Sequence, residues 1–369
     1  MDPLLFVPVM VVGFATALGM TPLSRAIALR LGVVDKPNQR KIHTDHKPLM
    51  GGLAIFAGFA LALILFVLPD SLGDLSAMLI GAALLAVVGL IDDRYELGIR
   101  AKLVAQVIAA GILIAGGIQI QLFNTPLLDY PLTVLWVVTI TNAVNFLDNM
   151  DGLSAGLSAI AGLYFTFLAY NEGLSLVAAL AAAMAGSAIG FLIYNFNPAS
   201  TFMGDMGALV LGFVLAVLGI ELRFGSQPLS VTWMVPILVL ALPIFDICLV
   251  VFTRISEGRS PGQAGKDHLA PAAQPGAQPA PGHFHPVWRL CPLRRAGRAG
   301  QPRTAGTRAV DRPGGAGAAG CSVRGDDADP PALPVEPLAG RAGRADRNPA
   351  AQRHGRDRQN PHDAAERQA

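Results

Sequence analysis

Residues 145–156 read "NFLDNMDGLSAG" and stand between two apolar runs, "YPLTVLWVVTITNAV" before and "AIAGLYFTFLAY" after. Two aspartates and two asparagines between segments of that kind mark either a loop between membrane spans or a polar site at a membrane surface. Composition favours a membrane setting for both. The 369-residue chain is 52% hydrophobic and 15% charged, with a mean hydropathy of +0.48, whereas soluble domains carry about 25% charged residues. The charge is unevenly spread: residues 1–270 hold 13 Lys and Arg, and residues 271–369 hold 15, all Arg. The three cysteines, Cys248, Cys291 and Cys321, have neither metal-ligand nor disulfide-framework spacing. The first apolar segment lacks a basic leader and a small-residue cleavage site, so it reads as a retained span.

A spanning helix needs roughly 20 mostly apolar residues. Nine segments qualify as candidates, at about 4–23, 49–69, 77–91, 102–121, 130–147, 153–170, 174–194, 206–222 and 230–252. The expected fold is an all-α, polytopic inner-membrane helical bundle of about nine spans. The polar connections alternate between two sides. One side receives Arg25, Arg30, Lys36, Arg40, Lys41, Lys47, Arg94, Arg100, Lys102, Arg254, Arg259 and Lys266, and the other only Arg223. Basic residues collect on the cytoplasmic side, which places the N-terminus outside. The same side holds nearly all the acids and histidines of this half, so the expected chemistry lies at the cytoplasmic membrane surface.

Five acids carry that expectation. Asp92 and Asp93 directly follow a hydrophobic span, and adjacent helical positions point about 100° apart, so the two carboxylates are expected to do different things. Asp148 and Asp151, three apart, would share one helix face. Asp205 lies in "FMGDMGA", where Gly204 permits a tight turn. The plain alternative for each is a solvated helix end or an N-cap, but five acids each abutting a span on one side are hard to place by chance, and acids at such depth are costly. An oxygen-rich, cysteine-free cluster suits Mg²⁺, with Mn²⁺ as the second choice. The basic loop "DKPNQRKIHTDHKPLMGG" complements it with Lys36, Arg40, Lys41, His43 and Lys47; its simpler role would be topology or attraction to anionic lipid. Asn142 and Asn145 either orient a carboxylate, bind a uracil or amide group, or make packing hydrogen bonds between helices. In "GLSAG", Gly152 and Gly156 are expected to form a helix contact of the small-xxx-small kind. Glu172, Arg223 and His46 are given no role.

The segments "DKPNQRKIH…PLMGG", "DDR…AK…Q", "NAVNFLDNMDGLSAG", "YNFNPASTFMGDMGA" and "LPIFDICLVVFTRISEGRSP…KDHL", taken in order, resemble the polyprenyl-phosphate N-acetylhexosamine-1-phosphate transferase superfamily. The match covers residues 20–269, and the first motif resembles the undecaprenyl-phosphate GlcNAc branch. The resemblance implies transfer of N-acetylhexosamine-1-phosphate from the UDP-sugar to a polyprenyl phosphate in the membrane, with release of UMP. It also implies a Mg²⁺ cofactor. By matching positions, Asp205 is the leading metal ligand. Asp92 and Asp93 would manage the acceptor phosphate, one of them as a base or as partner of a lysine. Asp148 and Asp151 would line the nucleotide–metal pocket with Asn145 nearby, and Asp148 would share the metal. His268 matches the first histidine of the family's cytoplasmic histidine motif, and Lys41 and Lys102 become phosphate contacts, with Arg40, His43 and Asn142 completing the substrate-binding set. No nucleic-acid partner is expected, and the oligomeric state is open, with a homodimer as one candidate.

The chain divides into a multi-span transferase domain, 1–269, and a tail, 270–369. Where the family continues with further histidine and arginine and more spans, this chain turns to "APAAQPGAQPAPGHFHPVW" and then to Arg, Pro, Ala and Gly. Such a composition cannot build a core. The tail is therefore either disordered or read in a shifted frame. Back-translated and read one nucleotide later, the codons from Ala270 onward permit "HRLLNLGLSRRR", which restores the histidine–arginine pair. Two rival readings remain at this point. A cation- or proton-coupled transporter would put its acids near the bilayer midplane, whereas here they gather at one interface. An inactive, truncated transferase would keep the acids and lose the donor loop.

Overall fold

The structure is a computed structural model that describes residues 6–35, 47–66, 72–225, 227 and 232–260. Among the described residues the chain forms ten helices and one minimal strand pair. The helices are α1 (Phe6–Leu31), α2 (Gly51–Phe66), α3 (Leu72–Tyr95), α4 (Ile99–Ala115), α5 (Pro126–Leu147), α6 (Leu153–Asn171), α7 (Ser175–Asn195), α8 (Gly204–Glu221), α9 (Met234–Val239) and α10 (Ala241–Ser256). Six of them, α1, α3, α5, α6, α7 and α8, are long and apolar enough to cross a membrane, and the chain is a multi-pass membrane protein. The second and fourth expected spans correspond to α2 and α4, which are shorter.

The ninth expected span is broken. Pro243 has no N–H to give to a helical carbonyl and is accommodated only in a first turn, so the chain ends α9 and starts α10 at Ala241. Two other expected spans run longer than hydropathy alone indicates. The buried positions Ala17, Thr21, Ser24 and Ala28 continue one stripe of α1 at helical spacing beyond residue 23, while Arg25 and Arg30 lie on its other face. Thr21 and Ser24 hold that stripe without cost by donating to the Ala17 and Thr21 carbonyls. α3 likewise runs past residue 91 to Tyr95, so Asp92 and Asp93 sit within its last turn.

α8 is the axis of the bundle. Apart from Asp205, Gly219 and Glu221 its residues are buried, as expected of a helix that is apolar all round. It packs against α3, α5 and α2, with α6 and α7 also touching it. Small residues set these distances, because helices in lipid associate through close packing. A Cβ on Gly89 would lie 2.4 Å from Met206 Cα, and one on Gly52 would lie 2.1 Å from the Gly207 nitrogen. The small-xxx-small contact that brings two helices together is Gly186 and Gly190 on α7, whose added Cβ atoms would meet the Met10 and Phe14 carbonyls of α1 at 2.1 and 2.4 Å. Gly152 and Gly156, expected in that role, meet only the Leu192 and Phe196 region at ordinary or slightly tight distance. Gly152 instead adopts φ +73° as the residue that opens α6.

The all-α expectation needs one small correction. Val34–Asp35 (β1) and Lys47–Pro48 (β2) pair antiparallel, Val34 opposite Pro48 and Asp35 opposite Lys47. This pair ties the two ends of the basic loop to the end of the bundle where α3 finishes and α8 starts. The Thr201 hydroxyl and the Phe202 N–H both donate to the Pro48 carbonyl, and the Gly51 and Gly52 N–H groups donate to Phe202 and Met203.

Candidate active site

Four helix ends meet at this face: the last turn of α3, the first turn of α4, the last turn of α5 and the first turn of α8. Gly204 shapes the meeting point. Its φ of +73° starts α8 from a left-handed turn, and its missing side chain leaves room for the Asp93 carboxylate, which a Cβ there would approach to 2.5 Å. Asp93 uses both oxygens on the start of α8, accepting from the Asp205 N–H at 2.7 Å and from the Met206 N–H at 3.3 Å. It thus caps a helix other than its own, a favourable placement of negative charge at a helix N-terminus.

Asp92, one residue earlier, points elsewhere. The Lys102 ammonium lies 2.5 Å from Asp92 Oδ2 and 2.5 Å from Asp205 Oδ2. The other Asp205 oxygen accepts from Asn145 Nδ2 at 2.6 Å. One carboxylate of Asp92 therefore serves a lysine while that of Asp93 holds the backbone of α8, the division of labour expected of adjacent helical acids. Asp92 is 6% exposed, and its Oδ1 is buried with no hydrogen-bond partner among the described residues.

Asp148 and Asp151 do not share a helix face, because α5 ends at Leu147 and α6 starts at Leu153, and the residues between them form turns. Asp148 caps α5, its N–H donating to the Asn145 carbonyl at 3.3 Å. Burial, together with the negative charges of Asp205, Asp93 and Asp151, pushes its carboxyl up to about 8. The Asp151 carboxylate faces the 197–199 segment and accepts from Asn197 Nδ2 at 3.2 Å and the Ala199 N–H at 2.9 Å. Asn142 and Asn145 divide the alternatives open to them. Asn145 orients Asp205, whereas Asn142 donates to Gln106 Oε1 at 2.6 Å and to the Val138 carbonyl at 2.8 Å, a packing contact between α5 and α4. Arg40, Lys41, His43 and His268 lie outside the described residues.

Three residues that sequence reasoning left without a role support this arrangement. Gln106, fully buried, sits one turn after Lys102 on the same face of α4, a spacing visible in the sequence. Asn195 accepts from the Gly152 N–H and donates to the Thr201 carbonyl, joining the 148–152 turn to the strap before α8. Arg254, 2% exposed, stacks its guanidinium 5.5 Å above the Phe146 ring, a cation–π contact two residues before Asp148. Only its basic character at a helix end was legible in advance.

The donor set fits Mg²⁺ in part. No group of three or more His, Cys, Asp or Glu side chains converges among the described residues, so these residues alone build no cage. Two aspartates share one ammonium, however, and besides its burial Asp148 feels the negative charge of Asp205, Asp93 and Asp151, a repulsion that a divalent cation would relieve. Mg²⁺ characteristically takes one or two carboxylates and completes its shell with water and substrate phosphate. Asp205 and Asp148 would be the two carboxylates of such a site.

Comparison with known proteins identifies the family. The family model described as glycosyl transferase family 4 matches residues 75–223, a span that holds Asp92, Asp93, Lys102, Asn145, Asp148, Asp151 and Asp205. The chain is 36% identical over 268 residues to a probable undecaprenyl-phosphate N-acetylglucosaminyl 1-phosphate transferase of Bacillus subtilis (strain 168), covering 70% of this chain and 74% of that protein. It is 31% identical over 281 residues to a decaprenyl-phosphate N-acetylglucosaminephosphotransferase of Mycolicibacterium smegmatis, covering 66% and 69%. It is 30% identical over 267 residues to an undecaprenyl-phosphate alpha-N-acetylglucosaminyl 1-phosphate transferase of Salmonella typhi, covering 67% and 70%. With a relative so similar over most of its length, and the acids, lysine and asparagine inside the matched span, the chain belongs to glycosyl transferase family 4.

Proposed function

We propose that the protein transfers N-acetylglucosamine-1-phosphate from UDP-N-acetylglucosamine to undecaprenyl phosphate in the bacterial inner membrane, releasing UMP. This would be the first lipid-linked step of an envelope polysaccharide. The observation that carries the reading is the meeting of Asp92, Lys102, Asn145 and Asp205 at one end of an apolar bundle. A lipid phosphate reaches such a site from the bilayer with its tail still in hydrocarbon, and a soluble nucleotide reaches it from water. A transporter relay would set its acids at mid-depth, and these sit at helix ends. The charge asymmetry supports a cytoplasmic position for this end and an outside N-terminus.

In the reaction an oxygen of the acceptor phosphate forms a new bond to the sugar-bearing phosphorus of the donor. The bond from that phosphorus to the oxygen bridging it to UMP breaks, and UMP leaves with that oxygen. One phosphoanhydride replaces another, so the chain's task is to position two anions and oppose their repulsion. Lys102 is the cation within reach of both carboxylate-bearing helix ends, and it supplies that opposition. Asp92 would act as the base toward the acceptor phosphate once its carboxylate is exposed to it, since its second oxygen is buried in the free site. Asn145 holds the orientation of Asp205, and Asp93 fixes the helix start on which Asp205 rides. Asp205 and Asp148 would hold Mg²⁺, which neutralises charge on the donor diphosphate when bound.

The reading also includes residues 270–369 as a frame-shifted segment, supported by their composition and by the codons that permit "HRL" after Leu269. Radiolabelled sugar phosphate appearing in lipid extracts of membranes tests both statements. The chain as given should transfer little, since proline-rich sequence replaces the donor loop, and a one-nucleotide correction should restore transfer. In the corrected chain Asp205→Asn should abolish transfer without preventing membrane insertion, because it removes the charge a hard cation needs. Transfer near the unsubstituted level would take Asp205 out of the metal site.

A further inference from the structure

We propose that Lys102 competes with the divalent cation for Asp205, so that metal loading displaces its ammonium and hands it to a substrate phosphate. This inference rests on the metal-dependent reading above for its consequence, though not for its test.

The argument starts from which oxygens are committed. Both oxygens of Asp93 are held by backbone N–H groups of α8. Asp205 Oδ1 is held by Asn145. The Asp205 oxygen with an exchangeable partner is Oδ2, and that partner is the Lys102 ammonium, which at the same time bridges to Asp92 Oδ2. A hard cation approaching Asp205 through its Oδ2 therefore meets a monocation already seated between that oxygen and Asp92. Two positive charges cannot share that gap cheaply, since a like charge within a few ångströms shifts an ionic equilibrium by one to three powers of ten.

The lysine is also the member of the trio built to move. It projects from the first turn of α4 on a flexible four-carbon stem, whereas Asp205, at 26% exposure against the lysine's 20%, is held by Asn145, and Asp92 is at 7%. Rotation about the stem carries the ammonium away from the acids while α4 stays where the Gln106–Asn142 contact holds it. Asp92 cannot follow, being embedded in the last turn of α3. Once displaced, the ammonium stands beside the acids with its charge unspent, where a phosphate of donor or acceptor would meet it. A divalent ion that arrives with a diphosphate thereby satisfies both the acids and the lysine, whereas one arriving alone satisfies only the acids. The exchange favours joint loading of metal and nucleotide.

Binding of Mn²⁺ alone to the purified full chain, read from the electron paramagnetic resonance of the free ion with no substrate present, tests the competition. Lys102→Met should tighten Mn²⁺ binding by about tenfold or more, and Lys102→Arg, which keeps the charge, should bind like the unsubstituted chain. Lys102→Gln provides a second neutral variant, and melting temperatures with and without Mn²⁺ should show a larger rise for both neutral variants. Unchanged or weaker Mn²⁺ binding in the neutral variants would overturn the inference. So would absence of Mn²⁺ binding in every variant, or failure of both neutral variants to fold, because a displaceable lysine cannot be one that the fold requires. A chain that shows the expected Mn²⁺ dependence but, frame-corrected, transfers no sugar phosphate would refute the proposed function and leave the competition standing.

Discussion

Replacing Gly204 with alanine isolates the geometry on which the site depends. The residue has φ +73°, and holding a side-chain-bearing residue in left-handed backbone costs roughly 1–2 kcal/mol. The added Cβ would lie 2.5 Å from Asp93 Oδ2 and 2.9 Å from both Oδ1 and Cγ. To reach ordinary contact the carboxylate must retreat by about 1 Å, which takes its 2.7 Å bond to the Asp205 N–H out of hydrogen-bonding range. Hydrogen bonds to charged groups contribute about 1.5–3 kcal/mol each, so losing one and straining the backbone amounts to roughly 2.5–5 kcal/mol at the start of α8. Because Asp205 rides on that turn, at least about 100-fold of transfer should be lost, which corresponds to about 2.7 kcal/mol of barrier. The assay is labelled sugar phosphate reaching lipid in membranes carrying the frame-corrected chain, alongside the melting temperature in detergent. Gly98→Ala is the control, since a Cβ there meets nothing within 4 Å and φ is −67°. The double variant Gly204→Ala with Asp93→Ala should be only slightly worse than Asp93→Ala alone, because the clash is gone and the backbone cost remains. Strict additivity of the two, or a Gly204→Ala enzyme retaining more than about a third of its activity, would refute the reasoning.

Other expectations follow from the same geometry. Gly186→Val on α7 should prevent stable assembly, read as loss of a folded peak in size-exclusion chromatography, since its side chain would enter the Met10 backbone of α1. A cysteine at Gly98 should be protected from impermeant thiol reagent in intact cells and one at Gly225 should react, the opposite pattern placing the acids on the outer face. Resequencing of the gene should reveal the frame change near codon 270; confirmation of the present frame, with peptides of the tail in digests of the native protein, would end that reading. Glu172→Gln, far from the site, should leave transfer unchanged within assay error.

The sequence alone determined that the fold is a multi-span helical bundle, because apolar runs of spanning length and one-sided basic residues are local properties. It also placed the acids at one end, since each abuts a hydrophobic segment. Local reasoning failed where its premise was the continuity of an element. Asp148 and Asp151 are three apart, but the helix stops at Leu147, before both of them, so spacing said nothing about a shared face. Which GxxxG pair packs depends on the helix opposite, and Gly186 and Gly190 face the α1 backbone while Gly152 and Gly156 do not. What each acid does was decided by residues far away in sequence: Asp93 by the N–H groups 112 and 113 positions on, and Asp92 and Asp205 by one lysine that lies 103 positions before Asp205. A carboxylate's role follows from what satisfies its charge, and only the tertiary arrangement brings those partners within a hydrogen bond.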